Sequence, residues 1–237
     1  MPRSYVTLPG YRAGMHPPNY GKKYPAEPLT REEINRLLKA CCRGNAGARN
    51  RAMIVTMWRS GLRIAETLAL LPKDVDLAAG TVTVLHGKGD RRRVVGIDPE
   101  ACAVIEQWIA RRRKLGVNGR HPLFCKVSRP DIGAPVQASC FREAMKDAGA
   151  RAGLDRRCHP HALRHTCATE LAREGVPIQE IQKQLGHKDL VTTIRYIAEL
   201  NPQAVIDRMR ARTWAPATHV PDSTEQRHPG EPPGATA

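Results

Sequence analysis

Apolar residues recur at helical spacing along most of this chain. Beyond Thr30, the residues Ile34, Leu37, Leu38, Cys41 and Cys42 fall at i, i+3, i+4, i+7 and i+8, and Thr30 and Glu33 are spaced as a capping box. An amphipathic helix with one face on a core is predicted there. A second helical run over 49–60 ends at Gly61, a residue suited to a left-handed stop, and a third over 63–71 precedes Pro72. The period then changes. Residues 81–85 and 91–95 are short β-branched or alternating runs joined by Gly87-Lys88-Gly89-Asp90, the pattern of an antiparallel hairpin with lysine at its turn. A further strand is predicted over 122–127. Helical spacing resumes over 100–115, 138–152, 161–174, 178–185, 190–200 and 202–211. The predicted fold class is α+β, mainly α: a helical body with one small antiparallel β-sheet.

The two ends read differently. Prolines punctuate residues 1–26, which carry four bases and no acid, and the tail 214–237, which has one Arg against three acids. With so little apolar surface to offset the entropy of ordering, both are expected to stay flexible, leaving 27–213 as the folded body. That body holds 33 of the 38 Lys and Arg and 20 of the 23 acids, so +13 of the net charge of +15 belongs to it. Such an excess implies an anionic partner, and nucleic acid comes first because no amphipathic anchor or lipidation motif favours a membrane. At 41% apolar and 26% charged residues, wholesale disorder and a fibrous repeat are excluded. No run approaches the length of a membrane span, and the start lacks a secretory core. The seven cysteines match neither a disulfide framework nor a paired-cysteine zinc site, which points to a cytoplasmic protein.

Candidate chemistry concentrates late in the chain. His161, Arg164 and His165 are related by i+3 and i+4, so two imidazoles and a guanidinium share a face, while Leu163, Cys167 and Leu171 can pack inward. Ala168 and Ala172 are expected to leave the cationic side open to an anion. Gly186-His187 closes one helix and Tyr196 lies on the next; the other four tyrosines are all in the opening 1–26. Alone, each of these residues fits an ordinary structural role. A metal site at Cys158, His159, His161 and His165 is disfavoured because Arg164 would place a fixed cation beside the metal. A phosphate-binding loop at Gly87-Lys88 fails because position 82 is Val and Lys88 is followed by Gly89. A helix-turn-helix regulator would account for the charge but not for the order of the motifs.

Taken together, these motifs resemble the tyrosine recombinase (phage integrase) family. Ser60-Gly61-Leu62-Arg63-Ile64-Ala65-Glu66 resembles its first arginine motif and Gly87-Lys88-Gly89 its hairpin lysine. His161-Ala162-Leu163-Arg164-His165 resembles its His-x-x-Arg box, followed by Leu185-Gly186-His187 and Thr193-Ile194-Arg195-Tyr196. The resemblance implies a helical tyrosine-recombinase catalytic domain over 27–213, acting as a site-specific DNA recombinase that integrates or excises a phage or mobile element. A fimbrial-type DNA invertase and a non-catalytic DNA-binding protein are the alternatives.

By the same resemblance Tyr196 is the nucleophile, forming a 3′-phosphotyrosine. Arg63 and Arg164 grip the phosphate, Lys88 is the general acid, and His161 and His187 complete the pocket. His165 is a supporting residue, and Glu66 either orients Arg63 or is a surface acid. Arg91, Arg92, Arg93, Lys22 and Lys23 are expected on DNA, the two lysines on a basic arm that wraps the duplex. No metal, cofactor or ATP is implied. The implied partners are double-stranded DNA, a homotetramer on paired sites and an accessory directionality factor. Only about 26 residues precede the first core helix, so the likeness is to the short members of the family, which lack a full N-terminal core-binding domain.

Overall fold

The computed structural model describes residues 28–85, 92–186 and 209–211. The chain divides into two compact units, Met1–Glu199 and Leu200–Ala237. In the second, only 209–211 are described, with 209–210 helical. The hairpin turn, the predicted helix over 190–200, most of that over 202–211 and both chain ends lie outside the described residues.

The first unit is mainly helical. Helix α1 (Arg31–Ala40) opens on the expected capping box: Thr30 Oγ1 accepts from the Glu33 amide at 3.2 Å, and Glu33 Oε2 accepts from the Thr30 amide at 2.7 Å. Helix α2 (Gly44–Ser60) begins earlier than its periodicity indicates, and ten of its residues are buried, from Gly47 to Ser60. A helix apolar on most sides must be covered on most sides, and α2 packs against both α4 (Pro99–Lys114) and α6 (Pro160–Arg173). Gly61 stops α2 with φ +67, and a Cβ there would meet Leu185 Cδ2 at 2.5 Å. The turn is therefore open to glycine alone on both backbone and packing grounds. Helices α3 (Ile64–Ala69), α5 (Ala138–Arg151) and α7 (Ile178–Leu185) complete the helical set among the described residues.

The sheet has the order β1–β2–β3, all antiparallel, from Val75–Asp76, Thr81–Val84 and Arg93–Gly96. Val82 pairs with Val95 and both are buried, so the hairpin lays one face on the core. The strand predicted over 122–127 is not formed. Leu123, Phe124 and Cys125 are all fully buried, a continuous apolar run that length and periodicity could not separate from a strand, and only Cys125 makes a bridge, to Pro135. The third strand is instead β1, two residues after a 3₁₀ turn at Pro72–Asp74, too short to show alternation.

Two apolar clusters hold the unit. The larger runs from Leu29 to Leu163 and includes Met53, Ile54, Ile105, Trp108 and Phe141. The smaller joins Ala168, Ile181 and Leu185, with Leu171, Ala172 and Val176 against them. Ala168 and Ala172 are thus small to admit α7, not a ligand. Burying each large apolar side chain contributes on the order of 1.5–3 kcal/mol before entropy is subtracted.

Arg112 lies inside this core, at 2% exposure. Its guanidinium donates to the carbonyls of Asn118 and His121, both at 2.7 Å, Pro122 at 3.2 Å and Val117 at 3.3 Å, fixing the 117–122 segment onto the end of α4. Arg112→Met keeps the stem and deletes the donors, leaving buried carbonyls without them. It is expected to lower unfolding free energy by about 3 kcal/mol, read as a reduced urea midpoint at unchanged slope.

Candidate active site

The α2–α3 junction creates the first half of the site. The left-handed turn at Gly61 lets Arg63 follow as the N-cap residue of α3, with extended backbone. Glu66 at the third position of α3 accepts from the Arg63 amide at 2.9 Å and, through its other oxygen, from Arg63 Nη1 at 2.9 Å. Carboxylates suit this place because the first amides of a helix lack carbonyl partners. Glu66 is buried and bonded to Arg63, not a surface acid. Burial pushes its pKa up, but hydrogen bonds and charge from Arg93, with those from Arg63, outweigh that and hold the carboxyl below its ordinary value.

Helix α6 supplies the second half. Arg164 is 1% exposed, and its guanidinium donates to Gly61 O at 2.5 Å and Leu185 O at 2.6 Å. Arg63 Nη2 reaches the next carbonyl, Gly186 O, at 3.3 Å. Both arginines therefore bind the carbonyl end of α7, where the helix presents acceptors and partial negative charge. Gly186 terminates α7 with φ +66. Gln184 fixes the same end from another side, donating to Ser60 O at 3.2 Å and Gly96 O at 2.8 Å and accepting from the Gly96 amide at 3.1 Å.

His161 stands at the rim, exposed, with its ring edge-on to His165 at 4.4 Å between centroids. Desolvation on its protein side, then Arg164, His159 and Arg63, hold its pKa below the ordinary imidazole value, which favours the neutral form. Together Arg63, His161 and Arg164 line a cavity of about 420 Å³, with Arg142 from α5 and Arg157 and His159 from the approach to α6. Among the described residues, four arginines, two histidines and no carboxylate form its polar wall. A larger neighbouring cavity of about 560 Å³ shares Arg142, Arg157 and His159 but also has Glu143 and Asp155 in its lining. The smaller one is the better anion site, because planar guanidinium forks match phosphate oxygens.

The predicted residues thus separate into three groups. Arg63, Glu66, His161, Arg164 and His165 come together. Arg92 is exposed, whereas its neighbour Arg93 does not join a solvent face: its side chain is 15% exposed and donates to Glu66 Oε1 at 3.0 Å and Oε2 at 2.8 Å. Lys88, Arg91, His187, Tyr196, Lys22 and Lys23 lie outside the described residues. Arg142 and Arg157 were not legible as site residues. Arg157 and His159 immediately precede the His161 box, which was the one available signal; Arg142 arrives from a helix about twenty residues away in sequence and gave none. Cys158, adjacent to His159, is buried against Gly149 of α5.

Comparison with known proteins places this geometry. Tyrosine recombinase XerC of Halalkalibacterium halodurans is 37% identical over 192 residues, covering 76% of this chain and 60% of XerC. Type 1 fimbriae regulatory protein FimE of Escherichia coli K12 is 33% identical over 171 residues, 72% of this chain and 84% of FimE. The structure of XerH site-specific recombinase in a post-cleavage complex with palindromic difH substrate matches with a TM-score of 0.64 at 27% identity, over 79% of this chain and 54% of that one. The chain therefore spans only 54–60% of the length of XerH and XerC. The phage integrase family profile matches residues 27–202. Because that match runs through every described element from α1 to α7, this chain belongs to the phage integrase family, the tyrosine recombinases.

Proposed function

We propose that the protein is a site-specific DNA recombinase that cuts and rejoins strands through a 3′-phosphotyrosine. The observation that carries this reading is the cavity whose described polar lining is wholly guanidinium and imidazole. A phosphodiester brings negative charge that repels an attacking oxygen, and a phenol of pKa about 10 is a poor nucleophile at neutral pH. Arg63 and Arg164 answer the first difficulty by gripping the non-bridging oxygens and stabilising the charge that builds on them. Neutral His161 answers the second by accepting the proton of Tyr196 as its oxygen bonds to phosphorus. The P–O5′ bond breaks with its electron pair on the 5′-oxygen, which takes a proton from Lys88. His187 completes the phosphate pocket. The phosphotyrosyl bond keeps the energy of the broken one, so rejoining reverses these steps without ATP, and protein cations do the work of a metal.

In this reading the catalytic domain spans 27–213 and works on double-stranded DNA as a homotetramer on paired sites, with an accessory factor setting direction. The basic opening, including Lys22 and Lys23, wraps the duplex. The cytoplasm is the expected location: all seven cysteines are free, and among the described residues no helix is long and apolar enough to cross a membrane. The match over 84% of FimE favours a second reading of the biological role, inversion of a DNA segment. Sites placed as inverted repeats on one plasmid would then be flipped, whereas an integrase would join sites on separate molecules.

Covalent trapping tests the chemistry. With nicked suicide duplexes drawn from the DNA flanking the gene, in EDTA, the wild type is expected to form a protein–DNA adduct and Tyr196→Phe none; an adduct that needs a metal, or persists in Tyr196→Phe, would refute the mechanism. The pH profile of single-turnover cleavage tests the base. Since the folded protein holds the His161 pKa below its ordinary 6.5, the neutral form persists as pH falls through that value. Cleavage is therefore expected to decline only at lower pH, and His161→Gln to abolish that acid limb.

A further inference from the structure

We infer that Arg93 is a positioning residue for the phosphate-gripping Arg63, acting through Glu66; this rests on the recombinase reading above. The Glu66 carboxylate, 4% exposed, accepts four hydrogen bonds in two matched pairs. Oε1 takes Arg63 Nη1 at 2.9 Å and Arg93 Nη1 at 3.0 Å, while Oε2 takes the Arg63 amide at 2.9 Å and Arg93 Nη2 at 2.8 Å. Arg93 thus makes a two-pronged fork that fixes the carboxylate plane, whereas the Arg63 side chain spends one nitrogen on it. The two arginines are not equivalent in exposure: Arg63 is 31% exposed and lines the cavity, while Arg93 is 15% exposed and does not.

The division of charge follows from this geometry. Two guanidinium ions share one carboxylate, so the pair keeps a net positive charge, and the exposed member presents it to the cavity. Removing Arg93 would leave Glu66 to neutralise Arg63 alone and free the carboxylate plane to turn. Arg93 also lies under the turn that ends α7. A Cβ on Gly186 would fall 2.8 Å from Arg93 Nε and 2.9 Å from its Cζ, so the guanidinium packs directly on the backbone whose carbonyl receives Arg63 Nη2. Arg93 comes from the first residue of β3, so it ties the hairpin to both supports of Arg63.

Wild type, Arg93→Lys, Arg93→Ala, Glu66→Gln and the double variant Arg93→Ala/Glu66→Gln would be compared as full chains on suicide duplexes from the DNA flanking the gene. Cleavage rate at saturating DNA, dissociation constant and salt slope would be measured for each. In Arg93→Ala the saturated cleavage rate is expected to fall about 100-fold, the scale of a misplaced reacting group, with affinity and salt slope unchanged. Arg93→Lys, which keeps the charge without the fork, should recover part of the rate and also serves should the alanine variant not fold. In the Glu66→Gln background, Arg93→Ala should cost little more, because the residue acts through the missing charge. A weakened affinity with a shallower salt slope would make Arg93 a direct DNA contact and overturn the inference. So would full activity of both variants, or an equal loss in both backgrounds. An absence of any adduct from the wild type would instead sink the recombinase reading itself, and this inference with it.

Discussion

The guanidinium of Arg164 is enclosed by protein on nearly every side, and three elements meet on it. Its own helix, α6, carries it between the end of α2 and the end of α7, whose carbonyls at Gly61 and Leu185 it binds. Burying an ion is costly unless its donors are satisfied, so the position of this one cation constrains both turns. Those turns are left-handed glycines, Gly61 and Gly186, whose carbonyl groups serve Arg164 and Arg63. A charge that lines the cavity is thus also the joint that aligns the helices around it.

This arrangement shows how a protein can concentrate positive charge without losing its fold. Backbone carbonyls solvate the arginines in place of water and, unlike carboxylates, do not cancel their charge. The same solution appears at Arg112, where four carbonyls hold a guanidinium within the main core for purely structural ends. Among the described residues of the site, only Glu66 adds a full negative charge, and it is shared between Arg63 and Arg93. The cavity wall therefore keeps its cationic character, which adds to desolvation in holding the pKa of His161 below its ordinary value.

Small residues serve the site by closing helices together. Ala168, on α6 four residues beyond Arg164, is fully buried with Ile181 and Leu185 of α7. A larger residue would lift α7 and draw its terminal carbonyls away from both arginines. Gln184 performs the complementary task on the opposite side, linking α7 to the end of α2 and to the last residue of β3. Four elements are thereby registered against one another within a few residues of Arg63 and Arg164.

Much of this was written in local spacing. The capping box of Thr30 and Glu33, the stop at Gly61, the hairpin pairing Val82 with Val95 and the helical face of His161 and Arg164 depend on residues close in the chain, whose geometry is set by backbone periods of two and 3.6. The order of the arginine, lysine, histidine and tyrosine motifs was equally legible, and it carried the family. Spacing along one element, however, fixes only which residues share a face. Whether that face meets solvent or another element depends on the packing of all of them together. Only the tertiary structure could show that Arg93 turns to Glu66 and not to solvent, that Ala168 makes room for a helix, that the 122–127 run forms no strand and buries only Leu123, Phe124 and Cys125, and that Arg142 reaches the cavity from α5. Each of these rests on contacts between segments distant in sequence, where no local period records the partner.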